Sequence, residues 1–274
     1  MRRTLFVCKG VMNFVTTRYT VKNPKVKSLL TVVLVSDMHN AGAGDGNRKL
    51  LEAVRREVPD LIIAAGDMVV GHPAVPLTNG LAFLKALPEI APTFYANGNH
   101  ERSLKMMEKR GERAYSELIG GMEESGVVIL NNEAADISLG GTDIRLYGLD
   151  LPLRLYKKFR KPHIFPEHLR RNLGEPSGRR LNLLIAHNPE FTDAYFAWGA
   201  ELVFSGHYHG GLLRSPFSGR ALLSPYGYIL PKYGVGLYEH GGQYAVISAG
   251  LGDHSIPVRI FDPHELVVVN LIPS

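Results

Sequence analysis

Cysteine is almost missing from this chain. Cys8 stands alone among 274 residues, so neither an internal disulfide nor a thiolate cage for a soft metal is available. Long apolar runs are missing as well. The stretch after Arg2 and Arg3, with Leu5, Phe6, Val7, Val11, Met12, Phe14 and Val15, is broken by Lys9 and Gly10 and falls short of the roughly 20 residues that a membrane span needs. It is expected to add a short amphipathic helix over residues 1–17, packed on its own domain in a cytoplasmic protein, with room for peripheral membrane contact. Repeats, low-complexity tracts and an interdomain linker are lacking. Gly42, Gly44 and Gly46 enrich one loop, yet neither G-x-x-x-x-G-K-[ST] nor G-x-G-x-x-G occurs, which removes the usual nucleotide-cradling motifs. A formal charge of +5 favours anionic ligands without singling out nucleic acid. No groove of basic residues interleaved with aromatic platforms is visible, so nucleic acid is not the expected partner.

What is present is enough apolar residue, 45%, to bury a sizeable core, read as one domain over residues 1–274. Its organising stretch is Thr31-Val32-Val33-Leu34-Val35, an unalternating β-branched run that stops at Asp37 and His39. Such a run reads as a strand covered on both faces, and ligands collect at the carboxyl ends of such strands. On an extended backbone, residues two apart point to one side, so Asp37 and His39 are expected to reach one ion together.

The same grammar then repeats. A helix over Arg48 to Glu57 leads to Leu61 to Ala65 and Gly66-Asp67; a helix over Thr78 to Leu87 leads to Thr93 to Ala96 and Asn97-Gly98-Asn99-His100-Glu101. A helix from Ser103 to about Gly120 follows, then short strands from Val127 with a Gly140-Gly141 turn. Leu181 to Ala186 ends at His187, and Glu201 to Ser205 ends at Gly206-His207-Tyr208-His209-Gly210-Gly211. Further strands are expected at Tyr244 to Ser248, Val258 to Phe261 and Leu266 to Ile272. The least regular region, Leu151 to Arg180, is crowded with Arg and Lys; it reads as a solvated lip that could attract an anion.

A lone histidine is usually an ordinary surface or core residue, and His72, His163, His168, His240 and His264 fall in that class. Five strand ends carrying Asp37/His39, Asp67, Asn99/His100, His187 and His207/His209 are different, because a sheet gathers them at one edge. Imidazole and carboxylate without thiolate suit zinc, manganese or iron better than calcium. Two divalent ions about 3.5 to 4 Å apart can share a bridging carboxylate and hold a hydroxide that attacks phosphorus in line. Asp67 is the natural bridge, and His100 is placed to protonate the leaving alkoxide.

At this point the chain resembles the calcineurin-like metallophosphoesterases. Their ordered blocks D-x-H, G-D, G-N-H-[DE], a lone H and G-H-x-H are matched by Asp37-Met38-His39, Gly66-Asp67, Gly98-Asn99-His100-Glu101, His187 and Gly206-His207-Tyr208-His209. Ala186-His187-Asn188-Pro189-Glu190 and Gly250-Leu251-Gly252 are similar to the bacterial branch with YkuE and YaeI. The resemblance implies an α/β fold, a four-layer α-β-β-α sandwich of two mixed sheets flanked by helices. It implies one site of Asp37, His39, Asp67 and His209, a second of Asp67, Asn99, His187 and His207, and His100 as the acid. The expected function is hydrolysis of a phosphodiester, pyrophosphate or phosphomonoester in a phosphorylated small molecule or lipid-linked substrate. The alternatives are a nuclease or cyclic-nucleotide phosphodiesterase, and a metal-free scaffold, which should lack a ligand.

Overall fold

A computed structural model describes residues 13–274 except 43–44, 158–159, 161, 212, 225–226 and 254–258. The chain begins with β1 (Phe14–Lys22) and β2 (Leu30–Val35), then α1 (Arg48–Arg56), β3 (Leu61–Ala64), α2 (Thr78–Ala86) and β4 (Thr93–Tyr95). Two helices, α3 (Asn99–Met106) and α4 (Arg110–Glu124), lead to β5 (Val128–Ile129), the hairpin of β6 (Glu133–Leu139) and β7 (Thr142–Leu149), and α5 (Pro166–Leu173). After β8 (Leu181–Ala186), α6 (Thr192–Trp198) and β9 (Leu202–Ser205) come the short pair β10 (Leu213–Arg214) and β11 (Ala221–Leu223). Strands β12 (Gly236–His240), β13 (Gln243–Ile247) and β14 (His264–Ile272) complete the chain.

Two six-stranded mixed sheets result, in the orders β1-β14-β2-β3-β4-β5 and β12-β13-β9-β8-β7-β6. Three apolar layers separate four structural ones. Val33, Val35, Ile62 and Ala64 face α1 to α4 through Leu50, Val54, Phe83, Leu84, Leu104 and Leu118. Val32, Leu34, Leu61 and Ile63 face the second sheet through Ile144, Leu146, Leu183 and Phe204. On its other side that sheet packs Tyr147, Leu149, Leu184 and Val203 against Leu169, Tyr195, Phe196 and Trp198 of α5 and α6. This is the expected α-β-β-α sandwich. Strands covered on both faces read as unbroken apolar runs because neither face meets water.

Three expectations change in detail. Phe14 to Thr17, expected at the end of a helical extension, belong to β1, which pairs in parallel with β14 from Phe14↔His264 onward. The β-branched alternation of this segment suits a half-buried edge strand better than a helix; residues 1–12 of the expected extension lie outside the described residues. The helix expected from Ser103 to Gly120 is two helices, broken where Lys109 takes φ 51°. Asn99 and His100 open α3, which buries Leu104, while Leu118 and Met122 seat α4 on the first sheet. The strand expected at Val258 to Phe261 reduces, in its described part, to one bridge between Ile260 and Leu213.

Candidate metal centre

The strands β2, β3, β4, β8 and β9 end at one edge shared by the two sheets. Asp37, His39, Asp67, His207 and His209 all leave their strands with positive φ, between 47° and 70°. Asp37 and His39 therefore do not meet by strand alternation, as expected above, but by a left-handed turn held to the end of β3: Asp37 N donates to Gly66 O and His39 N to Asp67 O, at 3.0 and 3.1 Å. Asp, Asn and His tolerate this region better than most residues, and where it persists the surroundings fix it.

Three groups of potential ligand atoms lie within 4.8 Å of one another: Asp37, His39 and His209; His39, Asp67 and His100; and Asp67, His187 and His207. Asp67 occurs in two of them. Its Oδ2 lies 3.1 Å from His187 Nε2, 3.9 Å from His100 Nε2 and 4.0 Å from His39 Nε2. Asp37 Oδ1 lies 3.3 Å from His209 Nε2 and 3.7 Å from His187 Nε2, and the Nε2 atoms of His39 and His209 are 3.0 Å apart. Glycine makes room for both carboxylates: a Cβ at Gly98 would overlap Asp67 Oδ1, and one at Gly206 would overlap Asp37 Oδ2.

Two buried polar atoms lack a well-directed hydrogen bond here: Asn99 Oδ1, and His187 Nε2, whose approach to Asp67 Oδ2 is an ion-pair contact. An uncompensated buried acceptor costs free energy on the order of 1–3 kcal/mol. A cation answers that cost, and the imidazoles are oriented for one. His187 Nδ1 lies 2.6 Å from Ala65 O and His209 Nδ1 3.2 Å from Gly252 O. A proton on Nδ1 donated to a carbonyl leaves the Nε2 lone pair for a metal. His100 is the reverse case. Gly71 N donates to its Nδ1 at 2.8 Å, so the neutral ring carries its proton on Nε2 and offers a hydrogen rather than a lone pair. The donor set thus fits divalent cations at Asp37, His39, Asp67, Asn99, His187, His207 and His209.

Electrostatics follow from burial and crowding. Burial pushes the Asp37 carboxyl up to about 6, opposed by His187 and aided by the Asp67 charge. Burial would raise Asp67 too, but His187 and His100 keep it well below the usual range. Burial works against a protonated His187, yet Asp67 and Asp37 hold its pKa up at about 10.

Residues the sequence did not single out complete the site. Buried Glu101 accepts backbone N–H bonds from Gly98 and Asp67, both at 2.9 Å, and from Met68 at 2.8 Å, so one carboxylate ties the loop after β4 to the loop after β3. The only signal was its place in the G-N-H-[DE] block. Tyr156 stands edge-on to His207, with ring centres 5.0 Å apart; it comes from the irregular basic region and had no signal. Arg259 Nη2 lies 3.3 Å from His209 Nδ1 and also donates to Gly252 O, bracing that carbonyl. Each histidine of the ordinary class, His72, His163, His168, His240 and His264, is absent from the three groups.

Residues 30–211 match the family model described as calcineurin-like phosphoesterase. An uncharacterized metallophosphoesterase of Campylobacter jejuni is 29% identical over 258 residues, which cover 92% of this chain and 61% of the relative. YpbG of Bacillus subtilis is 28% identical, covering 90% of this chain and 83% of its own. The Escherichia coli phosphodiesterase YaeI is 30% identical over 196 residues, covering 71% and 64%. The chain therefore spans about three fifths of the length of the Campylobacter relative. Among the described residues no helix is long and apolar enough to cross a membrane.

Proposed function

The chain belongs to the calcineurin-like phosphoesterase family, and on that premise we propose that it hydrolyses a phosphoester, a phosphodiester in preference to a monoester, at a paired divalent-metal centre. The observation that carries this reading is the convergence of five strand ends on Asp67, with Asn99 Oδ1 buried and lacking a hydrogen-bond partner. Kinship with a protein named as a phosphodiesterase supports the choice of ester. Asp37, His39, Asp67 and His209 would hold one ion and Asp67, Asn99, His187 and His207 the other, with manganese, zinc or iron suited to such donors. When bound, the ions supply an activated water for in-line attack and neutralise the phosphoryl oxygens.

The chain's own residues do the rest. Asp37 is fixed by Ser36 Oγ, which donates to it at 2.7 Å, and by His207 N at 3.0 Å, so its carboxylate does not reorganise during turnover. Asp67 is fixed in the same way by the N–H of His100 at 2.8 Å. His100, with its proton on Nε2, offers that hydrogen to the departing oxygen. Its side chain is 28% exposed while Asp67 is 2% exposed, so substrate reaches the imidazole from solvent and the carboxylate lies beneath. A phosphorylated small molecule and a lipid-linked phosphoester both meet these requirements.

Metal analysis of the purified protein, together with turnover of bis-p-nitrophenyl phosphate, tests the proposal. Manganese-dependent hydrolysis with about two metals per chain is the expected result. A protein that binds no divalent metal, or binds it without hydrolysing any phosphoester screened, would refute it and leave a scaffold.

A further inference from the structure

Just after His209 the chain builds a small platform that the catalytic reading does not use. β10 and β11 pair with each other, Ile260 bridges to β10 and Ile229 to β11. The platform abuts the candidate centre: a Cβ on Gly211 would overlap Leu223 O of β11, and Asp262, two residues past Ile260, lies against Gly210. It exposes several large apolar side chains. Phe217 at the β10–β11 tip is 98% exposed, Ile229 79% and Leu230 61%, with Ile260 and Phe261 also exposed. Large apolar side chains exposed on one small element in this way mark an interaction site.

We propose that this platform docks on an anionic lipid bilayer, with Phe217 entering the interface. Two observations favour a bilayer. The first is the backbone of the tip. Pro216 has no N–H; Phe217 N and Ser218 N donate to Ser215 Oγ at 3.3 and 3.1 Å, Gly219 N to Ser215 O at 2.9 Å, and Ser215 N to Arg220 O at 2.9 Å. A turn that satisfies its own N–H donors enters the headgroup interface with only its carbonyls left to water, at less cost than an open loop. The second is charge. No Asp or Glu occurs between Glu201 and Glu239. Arg220 is exposed at the tip, and exposed Arg160 is tied to the platform through its carbonyl, which accepts the Tyr228 hydroxyl hydrogen. Apolar insertion beside basic residues is the make-up of an interfacial anchor on anionic lipid. The docked platform holds the metal centre beside the headgroups. Docking needs no turnover, so it stands or falls separately from the phosphoesterase reading.

The test is co-sedimentation of the full chain with phosphatidylglycerol/phosphatidylcholine vesicles and with phosphatidylcholine alone, alongside size-exclusion chromatography. Wild type is expected to bind the anionic vesicles more tightly and to lose binding as salt rises. Phe217→Asp and, separately, Ile229→Asp should each weaken binding about tenfold, with turnover of soluble bis-p-nitrophenyl phosphate unchanged. Failure of wild type to bind anionic vesicles overturns the proposal, as does undiminished binding by Phe217→Asp. Conversion of a wild-type oligomer to a monomer by Phe217→Asp, with vesicle binding unaltered, overturns it in favour of a second copy as occupant.

Discussion

From the first sheet, the ends of β2, β3 and β4 deliver both carboxylates, Asp37 and Asp67, together with His39, Asn99 and His100. From the second, β8 and β9 deliver only imidazoles: His187, His207 and His209. The strands β2, β3, β8 and β9 are alike buried and mainly apolar, so the division of labour lies in the turns that follow them. It teaches that the centre is also an electrostatic seam. One sheet presents negative charge across a short gap to the bases of the other, and the pairs Asp67–His187 and Asp37–His209 cross that gap at 3.1 and 3.3 Å. Cations held there would join the sheets at the edge where the apolar layer between them stops.

Removing charge from the first sheet should therefore hurt more than removing a base from the second. Asp67→Asn is expected to lower turnover of bis-p-nitrophenyl phosphate by at least about a thousandfold, since it weakens both metal positions and the charge that orders them. Its metal content should fall below one ion per chain. His187→Gln should retain close to one. Equal metal loss in the two variants would break the comparison.

His100 sharpens it from within the first sheet's own contribution. His100→Ala should reduce turnover by about a hundredfold or more while metal content stays at the wild-type value, because Nε2 carries a proton instead of a free lone pair. The relative loss should be smallest for substrates with a good leaving group such as p-nitrophenolate, and metal content measured beside turnover checks the assignment. Loss of metal in this variant would make His100 a ligand.

Glu101→Gln probes the brace behind the carboxylates. The amide retains one acceptor oxygen for a cradle of N–H donors from Asp67, Met68, Val69 and Gly98, so at least one buried donor is left unpaired. A loss of about 2–3 kcal/mol is expected, measurable by thermal or urea unfolding. A variant as stable as wild type would show that the cradle tolerates a neutral acceptor.

The layers were legible in the sequence for a physical reason. Strands sandwiched between two apolar faces must be apolar throughout, and Leu181 to Ala186 reads to the residue as β8. The strand ends were legible because polar residues at the close of such runs have few other uses. What the sequence hid depends on backbone direction and on distant contacts. Left-handed φ at Asp37 and His39 is imposed by bonds to Gly66 and Asp67, and nothing local announces it. Glu101 gains its role only when the loop after β3 folds over it. Tyr156 and Arg259 approach the histidines from segments without regular structure, where no period exists to read, and the exposed tip at Phe217 is flanked by residues that would equally suit a buried hairpin.

The smallest expected effect sharpens the seam itself, in protein stripped of metal by a chelator. Folded Asp37 has its pKa near 6 against 3.8 unfolded, so the native state binds the proton more tightly and the metal-free protein loses stability as pH rises from about 4 to about 6. His187 shifts the same way, from 6.5 to about 10: its stabilising charge, fully present below about 6.5, is lost as pH rises through about 10. Asp67, held low, stabilises above its unfolded value and gives that up only as pH falls below about 4. Of these shifts only that of His187 acts between pH 6.5 and 10, and it makes the melting temperature of the stripped protein decline across that range. Metal-loaded protein should decline less over the same range, because cations take over the work of the His187 proton between the carboxylates. Melting curves with chelator and with manganese, run across that range on wild type and His187→Gln, decide the matter: the stripped variant should lose the downward slope, and parallel curves for stripped and loaded wild type would show that no such electrostatic seam joins the sheets.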